Sequence, residues 1–183
     1  KWFDLDEEGR VRSDTADEVI TDRTKIVAVT HVGNTTGAIT DIAPIIRRAH
    51  EVGAVFVLDA CQSVPHLKVD FHALDVDFAA WSAHKMYGPT GVGFLYGKRE
   101  MLEALPPANF GGSMVELAWM DQEAQYMEPP ARFEAGTQPV AQVVAAGVAA
   151  EWLINIGMEN LEAHERTITH ELLKLGAEDG NRI

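Results

Sequence analysis

Four apolar runs constrain this chain more than any other feature: KIVAVTHV (25–32), AVFVLDA (54–60), FAAWSA (78–83) and VGFLYG (92–97). They are rich in β-branched and aromatic residues and bounded by turn signals, which marks strands. Because the runs are continuous rather than alternating, they predict strands covered on both faces, as in a parallel sheet. Between the first two lies TDIAPIIRRAHEVG (40–53), with Ile42, Ile45, Ile46 and Ala49 on one helical face. Thr40 or Asp41 is placed to cap that helix and Gly53 to stop it. The result is a β-α-β unit, for which a right-handed crossover is the rule. The expected class is α/β, a three-layer sandwich with a mainly parallel sheet.

Further along, REMLEAL (99–105) predicts a short helix closed by Pro106-Pro107. Residues 106–138, with Gly111-Gly112, Pro129-Pro130 and several aromatics, predict a long functional loop region. From Gln138 to about Leu175 the pattern is helical, with a break near Ile156-Gly157.

Charge and cysteine content narrow the partners. The net charge is −13, from 28 acidic and 15 basic residues, and such a surface repels phosphate backbones, so no nucleic-acid partner is expected. Cys61 is the only cysteine, which rules out an intramolecular disulfide and leads us to expect a reducing, cytoplasmic setting. KWFDLDEEGR is too polar for a signal peptide, and the longest weakly polar uncharged run, PVAQVVAAGVAA, has 12 residues. A spanning helix needs about 20, so no membrane partner is expected. The abrupt start, and an ending GAEDGNRI that resembles a turn into another strand, are expected of a piece of a longer chain.

In open α/β sheets, ligands bind beyond the carboxyl ends of the strands. At that rim the sequence places Asn34 after the first strand, Asp59 and Gln62 after the second, and Ser82, His84 and Lys85 after the third. Asp59 taken alone reads equally well as a cap or turn aspartate. Ser82 and His84, two apart, share a side if the chain stays extended. The glycines at 88, 91, 93 and 97 allow a tight turn and close approach of backbone to a ligand. GPTGVG alone lacks the lysine and the spacing of the phosphate-binding motifs.

SAHKMYGPTGVGFLYG, with HVGNTTG upstream, LDACQSVPH between and RFEAGT downstream, resembles the fold-type I pyridoxal-phosphate enzymes of the class V aminotransferase family. The likeness is greatest to cysteine desulfurases of the SUF iron–sulfur assembly type, with selenocysteine lyases as near relatives. The motifs stand in the family's order and cover almost the whole chain. The resemblance implies that Lys85 holds pyridoxal phosphate as a Schiff base and that Asp59 pairs with the pyridinium nitrogen. It further implies that Gln62 donates to the phenolic oxygen, Ser82 and His84 bind the phosphate, and Asn34 lines the cofactor and substrate side. Thr137 resembles a threonine that reaches the phosphate of a neighbouring subunit's cofactor, which implies a homodimer. The implied substrate is L-cysteine and the implied partner a sulfur-acceptor protein of the SUF system. Another class V activity, or a catalytically silent scaffold or dimerisation module, is the alternative.

On this likeness, residues 1–175 are the central part of the cofactor-binding large domain and 176–183 the start of a linker to a C-terminal domain. The family's persulfide cysteine and substrate-binding arginine are expected downstream, and its ring-stacking histidine upstream. The 183 residues by themselves are therefore expected to be inactive in desulfurization. GNTTG departs somewhat from the family's usual form around Asn34. Cys61 takes a position the family gives to a small residue, and we read it as packing. His66 and His72 lack a third ligand for a metal, and His31 is expected to shape a strand end. Glu159, Glu162, Glu165 and Glu171 are expected to form a solvated helix face.

Overall fold

The computed structural model describes residues 1–178. In chain order its elements are α1 (Ala16–Val19), β1 (Ile26–Thr30), α2 (Ala43–Glu51), β2 (Val55–Asp59), β3 (Phe78–Ser82), β4 (Gly93–Gly97) and α3 (Arg99–Ala104). β5 (Val115–Leu117), β6 (Gln125–Tyr126), α4 (Val140–Ile156) and α5 (Met158–Glu178) follow. The four long strands form one sheet in the order β1-β2-β3-β4. β1, β2 and β3 run parallel, and β4 returns antiparallel to β3. The sheet is therefore mixed but mainly parallel, with helices packed on it, and the class is α/β.

β1, α2 and β2 form the expected unit. Pro44 sits in the first turn of α2, Asp41 accepts the Ala43 amide N–H at 3.2 Å, and Gly53 leaves the helix with φ at +71°. Ile42, Ile45, Ile46 and Ala49 are buried with Val27, Val29, Phe56, Leu58 and Ala79 of the sheet and with Ala16 and Ile20. Completely buried side chains such as Ile45, Phe56 and Leu58 each contribute about 1.5–3 kcal/mol of apolar burial. Burial alternates along β1: Val27 and Val29 are covered, whereas Ile26, Ala28 and Thr30 are exposed. Coverage on both faces is thus not what the described residues show; α1 and α2 cover one face, and the other is open at β1.

At the amino-terminal ends of β2 and β3 lies a buried polar network. The Asp77 carboxylate accepts the Phe56 amide N–H at 2.8 Å and the Lys98 ammonium at 2.8 Å, and His50 Nε2 lies 3.1 Å from it. Lys98 also reaches Asp75 Oδ1 at 2.5 Å. Four elements are cross-linked by these groups, on the rim opposite to the one that carries the candidate site.

The region 106–138 is more ordered than a loop, since β5 and β6 pair as an antiparallel hairpin within it. α4 and α5 meet at Gly157, whose φ is +87°, and the helix pair bends by 76° there. No single helix among the described residues is long and apolar enough to cross a membrane. α5 is tied back by His66–Glu165 at 2.8 Å and Lys68–Glu159 at 2.5 Å. Those glutamates are docking points rather than a uniformly solvated face. Residues 176–178 continue α5, and the rest of the expected linker lies outside the described residues.

Candidate active site

The sheet register decides which side chains meet at the carboxyl rim. Thr30, Asp59 and Ala80 are successive cross-strand neighbours, so the chain leaves β1, β2 and β3 at one level. β1 continues through His31, whose amide N–H donates to the Asp59 carbonyl at 3.0 Å, into the loop carrying Asn34. That loop is closed by Gly33 N–H to the Ala38 carbonyl and Gly37 N–H to the Gly33 carbonyl, each at 2.9 Å. A Cβ at Gly33 would come within 2.6 Å of Thr36 Oγ1, so a side chain there would make that exposed threonine shift.

Asn34, Gln62 and Lys85 converge from three strand ends. The Lys85 ammonium donates to Asn34 Oδ1 at 3.0 Å, and the Gln62 carboxamide donates to the same oxygen. Asp59 Oδ1 accepts the Cys61 amide N–H at 3.0 Å, which turns the chain at the end of β2. No hydrogen bond to the second Asp59 oxygen occurs among the described residues, and the residue is exposed at the rim. Cys61 Sγ lies 3.9 Å from Ser82 Oγ, which brings the ends of β2 and β3 together.

The turn after β3 revises one expectation. Ser82 is extended, but Ala83–Met86 form a 3-10 turn, so the alternation that would put Ser82 and His84 on one side does not apply. His84 is exposed on that turn and Lys85 half-buried. Tyr87 closes the turn with φ at +63°, a left-handed conformation uncommon outside glycine. Gly88 follows, where a Cβ would come within 2.9 Å of the Ala83 carbonyl oxygen. The Tyr87 ring packs edge-on against Trp152 of α4, with centroids 5.2 Å apart. Backbone sterics, not the side-chain sequence alone, thus aim Lys85 at the rim.

Two groups beside the cluster have displaced titrations. Burial, and next the Asp59 carboxylate, push the Cys61 thiol up, away from thiolate character. Burial pushes the His31 imidazole down, and its Nδ1 is buried without a hydrogen-bond partner among the described residues. Thr137 is exposed before α4 and makes no hydrogen bond to the cluster. A cavity of about 650 Å³ runs along the outer edge of β1, past Trp2, Phe3, Val11 and Ile20, and none of the cluster residues lines it.

The family model "Aminotransferase class-V" matches residues 1–178. The chain belongs to the class V aminotransferase family. Among the family's members, a probable cysteine desulfurase of Mycobacterium leprae is 46% identical, over 100% of this chain and 43% of its own length. A probable cysteine desulfurase of Streptomyces coelicolor is 45% identical, over 95% of this chain and 41% of its own. The cysteine desulfurase CsdA of Escherichia coli superposes with a TM-score of 0.82 at 40% identity, covering 85% of this chain and 39% of that one. The apo cysteine desulfurase of Thermococcus onnurineus gives a TM-score of 0.91 at 32% identity, covering 97% and 44%. The chain therefore spans about two-fifths of the length of the curated relatives it matches.

Within the class V family frame, the structure brings Asn34, Asp59, Gln62, Ser82 and Lys85 to one rim, and Thr137 makes no hydrogen bond to them among the described residues. Sequence reasoning missed the contact between Cys61 and Ser82, and the sharing of one oxygen by Lys85 and Gln62. Both arise from register across parallel strands, which no local motif encodes.

Proposed function

We propose that the protein is a pyridoxal-phosphate-dependent cysteine desulfurase, taking sulfur from L-cysteine and leaving L-alanine. The observation that carries the reading is the convergence of the Lys85 amine with Asn34 and Gln62, beside Asp59 and Ser82, at the ends of adjacent strands. The donor set suits the cofactor. Asp59 offers a carboxylate oxygen for a protonated ring nitrogen, Gln62 a carboxamide for the ring oxygen, and Ser82 and His84 donors for a phosphate.

When bound, pyridoxal phosphate supplies an electron sink for charge developing at the substrate's α-carbon. Lys85 is the amine nucleophile and the proton carrier at that carbon. Asp59 keeps the ring nitrogen protonated, and the amide of Gln62 orients the ring. Cys61 is not given the sulfur-accepting role, because it is packed between the ends of β2 and β3, 3.9 Å from Ser82 Oγ, at a position the family gives to a small residue. That role would fall to the persulfide cysteine expected downstream of these 183 residues, which would hand its sulfur to an acceptor protein of SUF type for iron–sulfur assembly in the cytoplasm.

A homodimer belongs to the same reading. α4 follows Thr137 directly and is apolar around its whole circumference, yet Val144, Val148 and Ile154 are exposed and only Ala146 and Leu153 buried. A helix apolar on all sides belongs in an interior or an interface. A second copy over this region is the arrangement in which Thr137 would serve its neighbour's site, as the family resemblance implies.

The test is alanine and sulfide release from L-cysteine, with a thiol reductant present, by a protein that carries this chain together with the persulfide cysteine expected downstream. Activity that Lys85→Ala lowers by at least about 100-fold supports the proposal. Activity confined to selenocysteine, or keto-acid formation in place of alanine, would assign a different class V reaction. A Lys85→Ala variant as active as the parent would overturn the proposal.

A further inference from the structure

Among the described residues the Lys85 amine has one hydrogen-bond acceptor, and it is neutral. The ammonium donates to Asn34 Oδ1 at 3.0 Å, and no carboxylate of the described residues lies within 4.0 Å of it. Other titratable groups on this rim are His31 from β1, Asp59 and Cys61 from β2, and His84 and Tyr87 on the lysine's own turn. α4, which packs against that turn, brings a single charged residue, the exposed Glu151. Asn34 is itself held in place. The Gln62 carboxamide donates to the same oxygen, and the loop carrying Asn34 is closed by two backbone bonds of 2.9 Å.

We propose that Asn34 is a positioning residue for the reactive lysine: its carboxamide parks the Lys85 amine at the rim without locking it into a charged pair. An aspartate would fit the same space and reach the same nitrogen. Its negative charge would favour the ammonium, which cannot attack a carbonyl, over the free amine, which can. An alanine would release the amine without adding charge. The amide at this position therefore holds the Lys85 amine without a carboxylate bonded to it, and Gln62 keeps the amide oriented. This inference rests on the reading of Lys85 as the cofactor lysine, so its test separates the two.

The full chain, without added cofactor, is exposed to acetic anhydride across a pH series, and acetylation of Lys85 is followed by peptide mass spectrometry. Lys98, bonded to Asp75 and Asp77, serves as the internal reference for an intact fold. For Asn34→Asp, the Lys85 profile is expected to move up by about one pH unit, with roughly tenfold less labelling near neutrality. For Asn34→Ala, no such upward move is expected. A second series adds pyridoxal phosphate and traps it on Lys85 with borohydride, where Asn34→Asp is expected to show the same roughly tenfold loss near neutral pH, recovered on raising the pH. Superimposable profiles for the parent and Asn34→Asp, or equal upward shifts for Asn34→Asp and Asn34→Ala, would overturn the inference. Absence of trapped cofactor in the parent, with the acetylation shift intact, would overturn the cofactor reading and leave Asn34's hold on Lys85 standing.

Discussion

Replacing Asp77 by alanine should destabilise the protein far more than any surface change, because three donors depend on one buried carboxylate. Asp77 is 2% exposed. The Phe56 amide, in a residue with no exposure, would lose its only acceptor, which costs about 1–3 kcal/mol. Lys98 and His50, whose side chains are 21% and 30% exposed, would lose a partner but regain water, at about 0.5–1 kcal/mol each. The sum is about 2–5 kcal/mol, which spans what breaking a buried ion pair costs. Asp77→Asn keeps an oxygen for the Phe56 N–H and should lose only about 1–2 kcal/mol.

Acid should narrow the gap. Burial alone would raise the Asp77 carboxyl, but the Lys98 ammonium, the Phe56 N–H and His50 outweigh it and hold the carboxyl below its ordinary value. A depressed folded value means that the charge contributes stability above the unfolded value of about 3.9 and loses it as pH falls through the folded value. Urea denaturation of the full chain followed by circular dichroism, with amide exchange at Phe56, measures both effects. An alanine variant within about 0.5 kcal/mol of the parent, or a gap that does not shrink as the pH is lowered below the ordinary carboxylate range, would refute the reasoning.

Three further outcomes are expected. Asp59→Ala should weaken retention of pyridoxal phosphate by at least about tenfold while leaving the urea midpoint nearly unchanged, since Asp59 is exposed and its side chain's one hydrogen bond among the described residues is from the Cys61 amide; equilibrium dialysis checks it. Gly88→Ala should cost about 1–3 kcal/mol, read from the urea midpoint, because its Cβ would sit 2.9 Å from the Ala83 carbonyl oxygen. His66→Ala, which removes an ion pair to Glu165 whose side chains are both more than a third exposed, should change stability by less than about 1 kcal/mol; the urea midpoint again reports it.

Where the sequence was legible, a local pattern and its tertiary role coincided. The run from Lys25 to Asp59 could be parsed because β-branched strands, a one-faced helix and Gly53 follow one another within one short β-α-β unit. The break at Gly157 was visible because its positive φ suits glycine. The rim residues were legible because each stands just past an apolar run. What stayed hidden was set by distant partners. β5 is exposed at all three positions, so no alternation marks it. Asp77 meets His50 and Lys98 across separations of 27 and 21 residues, and the only local hint is an acid placed directly before a buried strand. The glutamates of α5 look like a solvated face until His66 and Lys68, 99 and 91 residues away, are brought against Glu165 and Glu159. The open face of the sheet was also concealed, since Ile26 and Ala28 are as apolar as their buried neighbours.

The most direct test of Lys85 as the cofactor's anchor is chemical. The full chain is incubated with pyridoxal phosphate, reduced with borohydride and digested, and the adduct is located by mass spectrometry. The expected adduct lies on Lys85, in the segment SAHKMYG, and is absent from Lys85→Ala. An adduct that persists in Lys85→Ala, or that forms on other lysines while Lys85 stays free, would contradict the assignment.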